Sequence, residues 1–132
     1  MAKFIILLCI LCLSGIMYSQ TDILLNETYE SSVSAGELVY FTGTYWDEAD
    51  ATSEAAPCTT GVGIALGNNQ VLIRGIYKTS GLSSGNYYIS TTAGQWTATA
   101  PSASTNVVRL IGYSLGALEL NFQPDNTWVV VP

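Results

Sequence analysis

The sequence predicts an all-β domain, a small β-barrel or β-sandwich of about eight short strands, preceded by a hydrophobic, signal-like N-terminal segment. Its 132 residues suffice for one domain. Apolar residues after position 20 fall in short runs with period-two alternation. Turns rich in Gly, Ser, Asn and Pro separate these runs at intervals of about 8 to 12 residues, as in small sandwiches and barrels. We therefore expect little or no α-helix outside the N-terminal segment.

The N-terminal segment has the pattern of a secretory signal peptide. Lys3 precedes an almost unbroken apolar run over residues 4–17, and the small Ser19 offers a cleavage point. The run is shorter than the roughly 20 apolar residues that span a membrane. We predict a signal peptide over residues 1–19 and a single β domain over residues 20–132, with no stable membrane span after cleavage. The alternative is a retained hydrophobic arm that packs into an assembly or a membrane.

The first strands lie in the middle of the chain. Residues 37–42 (ELVYFT) are rich in β-forming side chains and follow a turn-like Ser-Ala-Gly. Residues 62–66 (VGIAL) and 71–78 (VLIRGIYK) flank the sequence Gly-Asn-Asn-Gln at 67–70. Asn and Gly tolerate the backbone conformation of tight turns, so this arrangement predicts a β-hairpin.

Three further strands are predicted over residues 86–91 (NYYIST), 95–99 (QWTAT) and 106–115 (NVVRLIGYSL), with Gly-, Ser- and Pro-containing loops between them. The words VLIRGIY and VVRLIGY, which begin at Val71 and Val107, resemble each other. A single local similarity of this kind does not indicate a repeat architecture, which needs at least three units. It indicates two similar hairpin strands that each place an arginine, Arg74 or Arg109, on a half-buried face.

The C-terminal strands show the clearest pattern. Strict alternation over 118–122 predicts that its apolar residues share one face: Leu118, Leu120 and Phe122. The sequence 123–126 has Pro at the second turn position, and 127–131 (TWVVV) forms a last strand.

The composition argues against several classes of function. Ten acidic and four basic residues give a net charge of −6, which disfavours binding to nucleic acid. The chain has no histidine, so Ser-His-Asp triads, Cys-His pairs and imidazole metal ligands are excluded. We therefore expect no enzyme activity, no cofactor and no metal site.

The aromatic residues are expected mainly in the core, although exposed ones would suit sugar stacking or partner anchoring.

Two local features have both a chemical and a structural interpretation. Four carboxylates lie close together in sequence and could bind a hard cation: Asp47, Glu48, Asp50 and Glu54. Their spacing lacks the alternating donors and central glycine of a calcium loop, so we interpret the segment as a solvated acidic loop. Cys58 has no basic or imidazole neighbour in sequence, which predicts a buried or inert thiol.

Residues 62–122 carry a resemblance to a known group of proteins. A "GIAL" strand leads to an apolar "RG" strand, then to "YYISTTAG" and "NVVRLIGYSL", and Ala-Gly-Glu-Leu-Val occurs upstream at 35–39. This order resembles bacteriophage virion proteins, namely capsid decoration (cement) proteins and related head-fibre and tail-fibre modules. The likeness covers about three quarters of the chain. It implies a small β-barrel without catalytic residues that binds a repeating protein surface, often as a trimer.

We therefore expect a non-enzymatic structural protein of the virion that contacts copies of itself, a trimer first, and a capsid or filament lattice. The expected contact lies near the last strand, at Trp128, Val129, Val130 and Val131, with Trp128 either an interface anchor or a core residue. Two alternatives stay open. One is an exported bacterial subunit of the cell surface or of an extracellular filament or matrix, and the other is a secreted carbohydrate-binding module.

Overall fold

A computed structural model describes residues 22–52 and 54–132 of the chain. The predicted signal peptide, residues 1–19, lies outside the described residues. No helix in the described part of the chain is long and apolar enough to cross a membrane.

The described residues form an all-β structure, which confirms the predicted fold class. Its strands are β1 (Ile23–Asn26), β2 (Leu38–Phe41), β3 (Trp46–Glu48), β4 (Val62–Gly67), β5 (Gln70–Lys78), β6 (Gly85–Ile89), β7 (Trp96–Thr97), β8 (Val107–Val108), β9 (Leu110–Ser114), β10 (Glu119–Phe122) and β11 (Val129–Val130). A single helical turn, α1 (Ala56–Thr59), lies between β3 and β4.

The strands form one large curled sheet and one small sheet. Eight strands pair antiparallel in the order β3-β2-β4-β5-β10-β9-β6-β7, and β1 adds to β5. The large sheet curls into a half-barrel. Strands β8 and β11 form a separate antiparallel pair. The sequence predicted either a barrel or a sandwich, and the structure shows barrel-like curvature.

The predicted hairpin between β4 and β5 is confirmed. Asn68 and Asn69 form its turn with φ values of 51° and 59°. Asparagine adopts this left-handed conformation more readily than most residues do, which explains why the chain reverses here.

Strand β5 connects the two halves of the sheet and bends at Gly75. Its first half pairs with β4 and β1, whereas its second half pairs with β10. Leu72 and Tyr77 both pack against the main core, although residues five apart in a regular strand face opposite sides. Gly75 has φ of 140°, and a Cβ there would overlap the side chain of Asp22. The glycine therefore permits the local distortion that turns the strand.

The half-barrel encloses a main core, and part of the sheet is buried on both faces. Leu38 and Ile64 face the main core, whereas their sequence neighbours Val39 and Ala65 face a second cluster on the other side. The fully buried side chains of the main core include Leu38, Ile64, Ile89, Val107, Ile111, Leu120 and Phe122. Two apolar layers therefore stabilise the first half of the sheet.

Residues 49–51 join the two ends of the curled sheet. The amide of Ala49 donates to the carbonyl oxygen of Leu38 at 2.9 Å, and the carbonyl oxygen of Ala49 accepts from Gly94 at 2.9 Å. The amide of Ala51 donates to Ser90 at 3.0 Å, and its carbonyl accepts from Val107 at 2.9 Å. Both alanines are fully buried. Main-chain hydrogen bonds therefore fix residues 49–51 between the two ends of the half-barrel, while the carboxylates of Asp47, Glu48 and Asp50 stay partly exposed and Glu54 is exposed.

Candidate functional site

The predicted contact segment at the C-terminus is tied to the domain by main-chain hydrogen bonds. Val129 and Val130 pair with β8, and the amide of Val131 donates to Asn106 at 2.8 Å. Val129 is 66% exposed, whereas Val130 and Val131 are half-buried. Of the three valines, Val129 therefore offers the largest free apolar surface.

Trp128 occupies the edge of the main core. Its ring packs against that core, and its indole Nε1 donates to Glu54 Oε1 at 3.1 Å. The guanidinium carbon of Arg109 lies 5.9 Å from the ring centroid, within the range of a cation–π contact. The structure therefore gives Trp128 three partners within its own chain.

Arg109 is buried beside Trp128 and is held by main-chain carbonyls. It is 4% exposed. Its Nε donates to the carbonyl of Asp125 at 2.8 Å, and Nη1 donates to those of Cys58 at 2.9 Å and Thr60 at 2.6 Å. Burial lowers the pKa of the Arg109 guanidinium, against the smaller opposing effects of Cys58 and Asp125. Arginine nevertheless stays charged in proteins, so carbonyl dipoles and the Trp128 ring solvate a buried cation.

Arg74 and Arg109, the arginines of the two similar segments, have different surroundings. Arg74 lies on β5 opposite Ile23 and is exposed, whereas Arg109 is buried. The prediction that each lies on a half-buried face is therefore wrong. Arg109 differs because α1 and the segment before β11 cover it, whereas Arg74 lies beside the short outer strand β1.

Cys58 lies on α1, next to the Arg109 network. Its Sγ is 3.4 Å from the carbonyl oxygen of Ala55, and the residue is fully buried. Burial raises the pKa of the Cys58 thiol and outweighs the hydrogen bond between Cys58 and Ala55 and the charge of Arg109. A raised pKa reduces the thiolate fraction, so the environment suits an inert thiol.

A surface of exposed apolar side chains lies at the β9–β10 hairpin. We name it the hairpin patch and define it by Ile76, Tyr113, Leu115, Ala117 and Leu118. Leu115 is 87% exposed and Leu118 is 66% exposed. These residues line an open groove of about 440 Å³.

The hairpin patch extends onto the outer face of the sheet. Asn121 lies between Ile76 and Tyr113 in register, so the three side chains form one row across β5, β10 and β9. The amide of Asn121 donates to the Tyr113 hydroxyl at 2.7 Å. At the rim, Lys78 Nζ lies 3.5 Å from Glu119 Oε1. The patch therefore combines an apolar centre with a polar, charge-paired rim.

Sequence alternation predicted that Leu118 shares one face with Leu120 and Phe122, but Leu118 does not share their burial. Leu120 and Phe122 are both fully buried and so share a face as predicted, but Leu118 precedes the first residue of β10 and belongs to the connecting loop. The alternation of a strand stops where its pairing stops. Leu115 and Leu118 flank Gly116 in the sequence, and two leucines on either side of a glycine are the signal that could have indicated an exposed apolar loop.

A second groove, of about 460 Å³, lies between β1 and the β2–β3 turn. We name it the aromatic groove and define it by Leu25, Glu27, Phe41, Trp46 and Thr60. The rings of Phe41 and Trp46 are 5.4 Å apart and tilted by 45°. Trp46 is buried, and its Nε1 has no hydrogen-bond partner within the part of the chain that the structure describes.

The acidic residues of the 47–54 segment do not form a metal-binding cluster. Across residues 22–52 and 54–132, no group of three Asp, Glu, Cys or His side chains could hold a metal ion. Glu54 instead accepts from Trp128, and Asp50 accepts from the amide of Thr52 at 2.7 Å.

No family model, no curated protein and no solved structure matches this chain.

The buried cation should be essential for stability. Arg109→Ala removes three hydrogen bonds from a buried side chain to main-chain carbonyls, and we expect the free energy of unfolding to fall by about 3 kcal/mol. Urea denaturation followed by tryptophan fluorescence measures the change. Arg74→Ala is the matched control, because it removes an exposed arginine and should change stability by less than about 0.5 kcal/mol. Equal effects of the two substitutions would contradict the structural role of Arg109.

Trp128→Ala should destabilise the domain without changing its oligomeric state. The substitution removes core packing, the hydrogen bond to Glu54 and the ring above Arg109. We expect a loss of about 3 kcal/mol, typical of a large aromatic residue at a core position. Thermal denaturation and light scattering on the same samples test both statements. A variant that dissociates while keeping its melting temperature would show that Trp128 is an interface anchor.

Proposed function

We propose that this protein is a non-enzymatic structural subunit that assembles with copies of itself and on a repeating protein lattice, as a phage capsid decoration or fibre-type virion protein. The observation that carries this proposal is the hairpin patch. Its large apolar side chains are clustered on one loop and one sheet face, and contiguous exposed apolar surface in a folded domain is typical of a protein contact.

The free-energy cost of exposing the apolar side chains of the hairpin patch to water supports an assembly role. Full burial of a leucine side chain stabilises by about 1.5–3 kcal/mol relative to exposure, and the loop exposes Leu115 and Leu118. The loop lies on a curled, antiparallel sheet whose two ends are joined through main-chain hydrogen bonds at residues 49–51. A contact surface on such a scaffold loses little conformational freedom on binding, which favours repeated association.

The virion assignment rests on the resemblance of residues 62–122 to decoration and fibre proteins, which also implies a trimer. An exported bacterial subunit of the cell surface, or of an extracellular filament or matrix, would use the same assembly chemistry. The N-terminus distinguishes the two. Intact-mass spectrometry of native material should give a chain beginning at Met1 for a virion protein and at Gln20 for an exported one.

Assembly is tested directly on the purified full chain. We expect light scattering after size exclusion to give a mass that is a multiple of the chain mass of 14.1 kDa, three copies first. The native protein should also co-purify with particles or filaments. A protein that stays monomeric at high concentration and binds neither particles nor filaments would overturn the assembly function.

The aromatic groove favours a second candidate, a secreted carbohydrate-binding module. Phe41 is partly exposed beside Glu27 and the hydroxyl groups of Thr42 and Thr60. An aromatic ring with neighbouring carboxylate and hydroxyl groups is a chemistry that suits sugars, which stack on rings and form hydrogen bonds at their edges.

A glycan array tests this second candidate. If the groove binds sugar, the wild-type protein should bind a defined set of glycans, and Phe41→Ala should lose at least about tenfold in affinity. Tyr113→Ala is the matched control, because it removes an exposed aromatic outside the groove. Absence of glycan binding by the wild-type protein, or equal loss in both variants, would reject the carbohydrate module.

A further inference from the structure

We propose that the hairpin patch is the surface through which copies of this chain contact one another, with Lys78 of one copy opposite Glu119 of the next. This inference rests on the proposed assembly function and names its contact surface. It places the contact at the β9–β10 hairpin, whereas the sequence placed it at the last strand.

The distribution of exposed apolar residues favours the hairpin over the last strand. The hairpin patch joins Leu115 and Leu118 to the partly exposed Ile76 and Tyr113 along one groove. At the C-terminal strand, Val129 is the one large apolar side chain that is mostly exposed to solvent, and Trp128 is held by partners within its chain. An interface centre needs several apolar side chains that lose water together, and the hairpin provides them.

The charge of the chain restricts where two copies can meet. At a net charge of −6, two copies repel each other, and opposite charges that meet at the contact offset part of this repulsion. Among residues 22–52 and 54–132, the cations outside the core are Arg74 and Lys78, because Arg109 is buried. Lys78 lies at the rim of the hairpin patch. A contact there places one of the chain's few available positive charges between two acidic copies.

The position of Glu119 makes the patch complementary to itself. Lys78 and Glu119 are cross-strand partners on β5 and β10, and their side chains are 81% and 57% exposed. Exposed ion pairs contribute little stability within a chain, so both groups are available to an outside partner. When identical patches meet around a symmetry axis, the lysine side of one copy faces the glutamate side of the next. This arrangement is compatible with the three-fold symmetry expected from the sequence.

Two substitutions with equal exposure locate the apolar part of the contact. Leu118 and Val129 are both 66% exposed, so serine at either position should leave the fold intact, as circular dichroism and melting temperature can confirm. We expect Leu118→Ser to dissociate the full-length oligomer in sedimentation velocity and Val129→Ser to leave it unchanged. Dissociation by Val129→Ser alone would move the contact to the last strand and overturn this inference.

A charge-exchange experiment tests the pairing itself. Lys78→Glu alone places two glutamates opposite each other at every contact, and Glu119→Lys alone places two lysines there. Each variant alone should therefore associate weakly. In an equimolar mixture, opposite charges face each other at the contacts between unlike copies, which are two of the three contacts in a mixed trimer, and we expect association at least about tenfold stronger than for either variant alone. Within each chain the two groups remain like-charged in the mixture, so the internal ion pair cannot cause the recovery.

The outcomes separate the inference from the proposed function. An oligomer that tolerates Leu118→Ser, or a mixture no stronger than its components, would overturn the hairpin contact and leave assembly intact. A wild-type chain that is monomeric and binds neither particles nor filaments would overturn the assembly function itself. A monomer that binds particles would retain the lattice role and reject the contact between copies.

Discussion

The buried guanidinium of Arg109 is the interaction on which much of the structure depends. Transfer of a charge into the protein interior costs several kcal/mol unless dipoles replace its water. Here three carbonyl groups and an aromatic ring do so, and they come from α1, from the segment after it and from the segment between β10 and β11. The charge therefore specifies where these parts meet, because each of them must supply its group in one arrangement.

This arrangement explains how two very short elements, α1 and β11, can lie in a fixed position against the half-barrel. Turn α1 has only four residues, and β11 has two. Neither element is long enough to be stable through its own hydrogen bonds. The carbonyl oxygen of Cys58 in α1 instead accepts from Arg109, and β11 pairs with β8, while Trp128, the residue before β11, donates to Glu54 and packs against the main core. The C-terminal segment is thus part of the domain's internal structure, and its free apolar surface is small.

The exposed apolar surface of the domain lies where the sheet is not covered by a second apolar layer. The first half of the sheet is covered on both faces by two apolar clusters, and residues 49–51 join its ends. In the second half, the outer face of β5, β10 and β9 is left open, and the hairpin loop lies beside it. Exposed apolar side chains accumulate where the second layer is missing. This is the face that we propose as the assembly contact.

The sequence by itself determined the all-β class, the β4–β5 hairpin and the inward faces of Leu120 and Phe122, because turn propensity and period-two alternation are local properties. Only the tertiary structure decided that Arg109 is buried while Arg74 is exposed, because burial depends on which distant segments cover a strand. It also decided that Leu118 lies outside the core, since a strand's alternation lasts only as long as its pairing. The candidate contact surface joins Ile76 to Tyr113 across three strands, and that neighbourhood arises only from strand order and register, which local pattern does not encode.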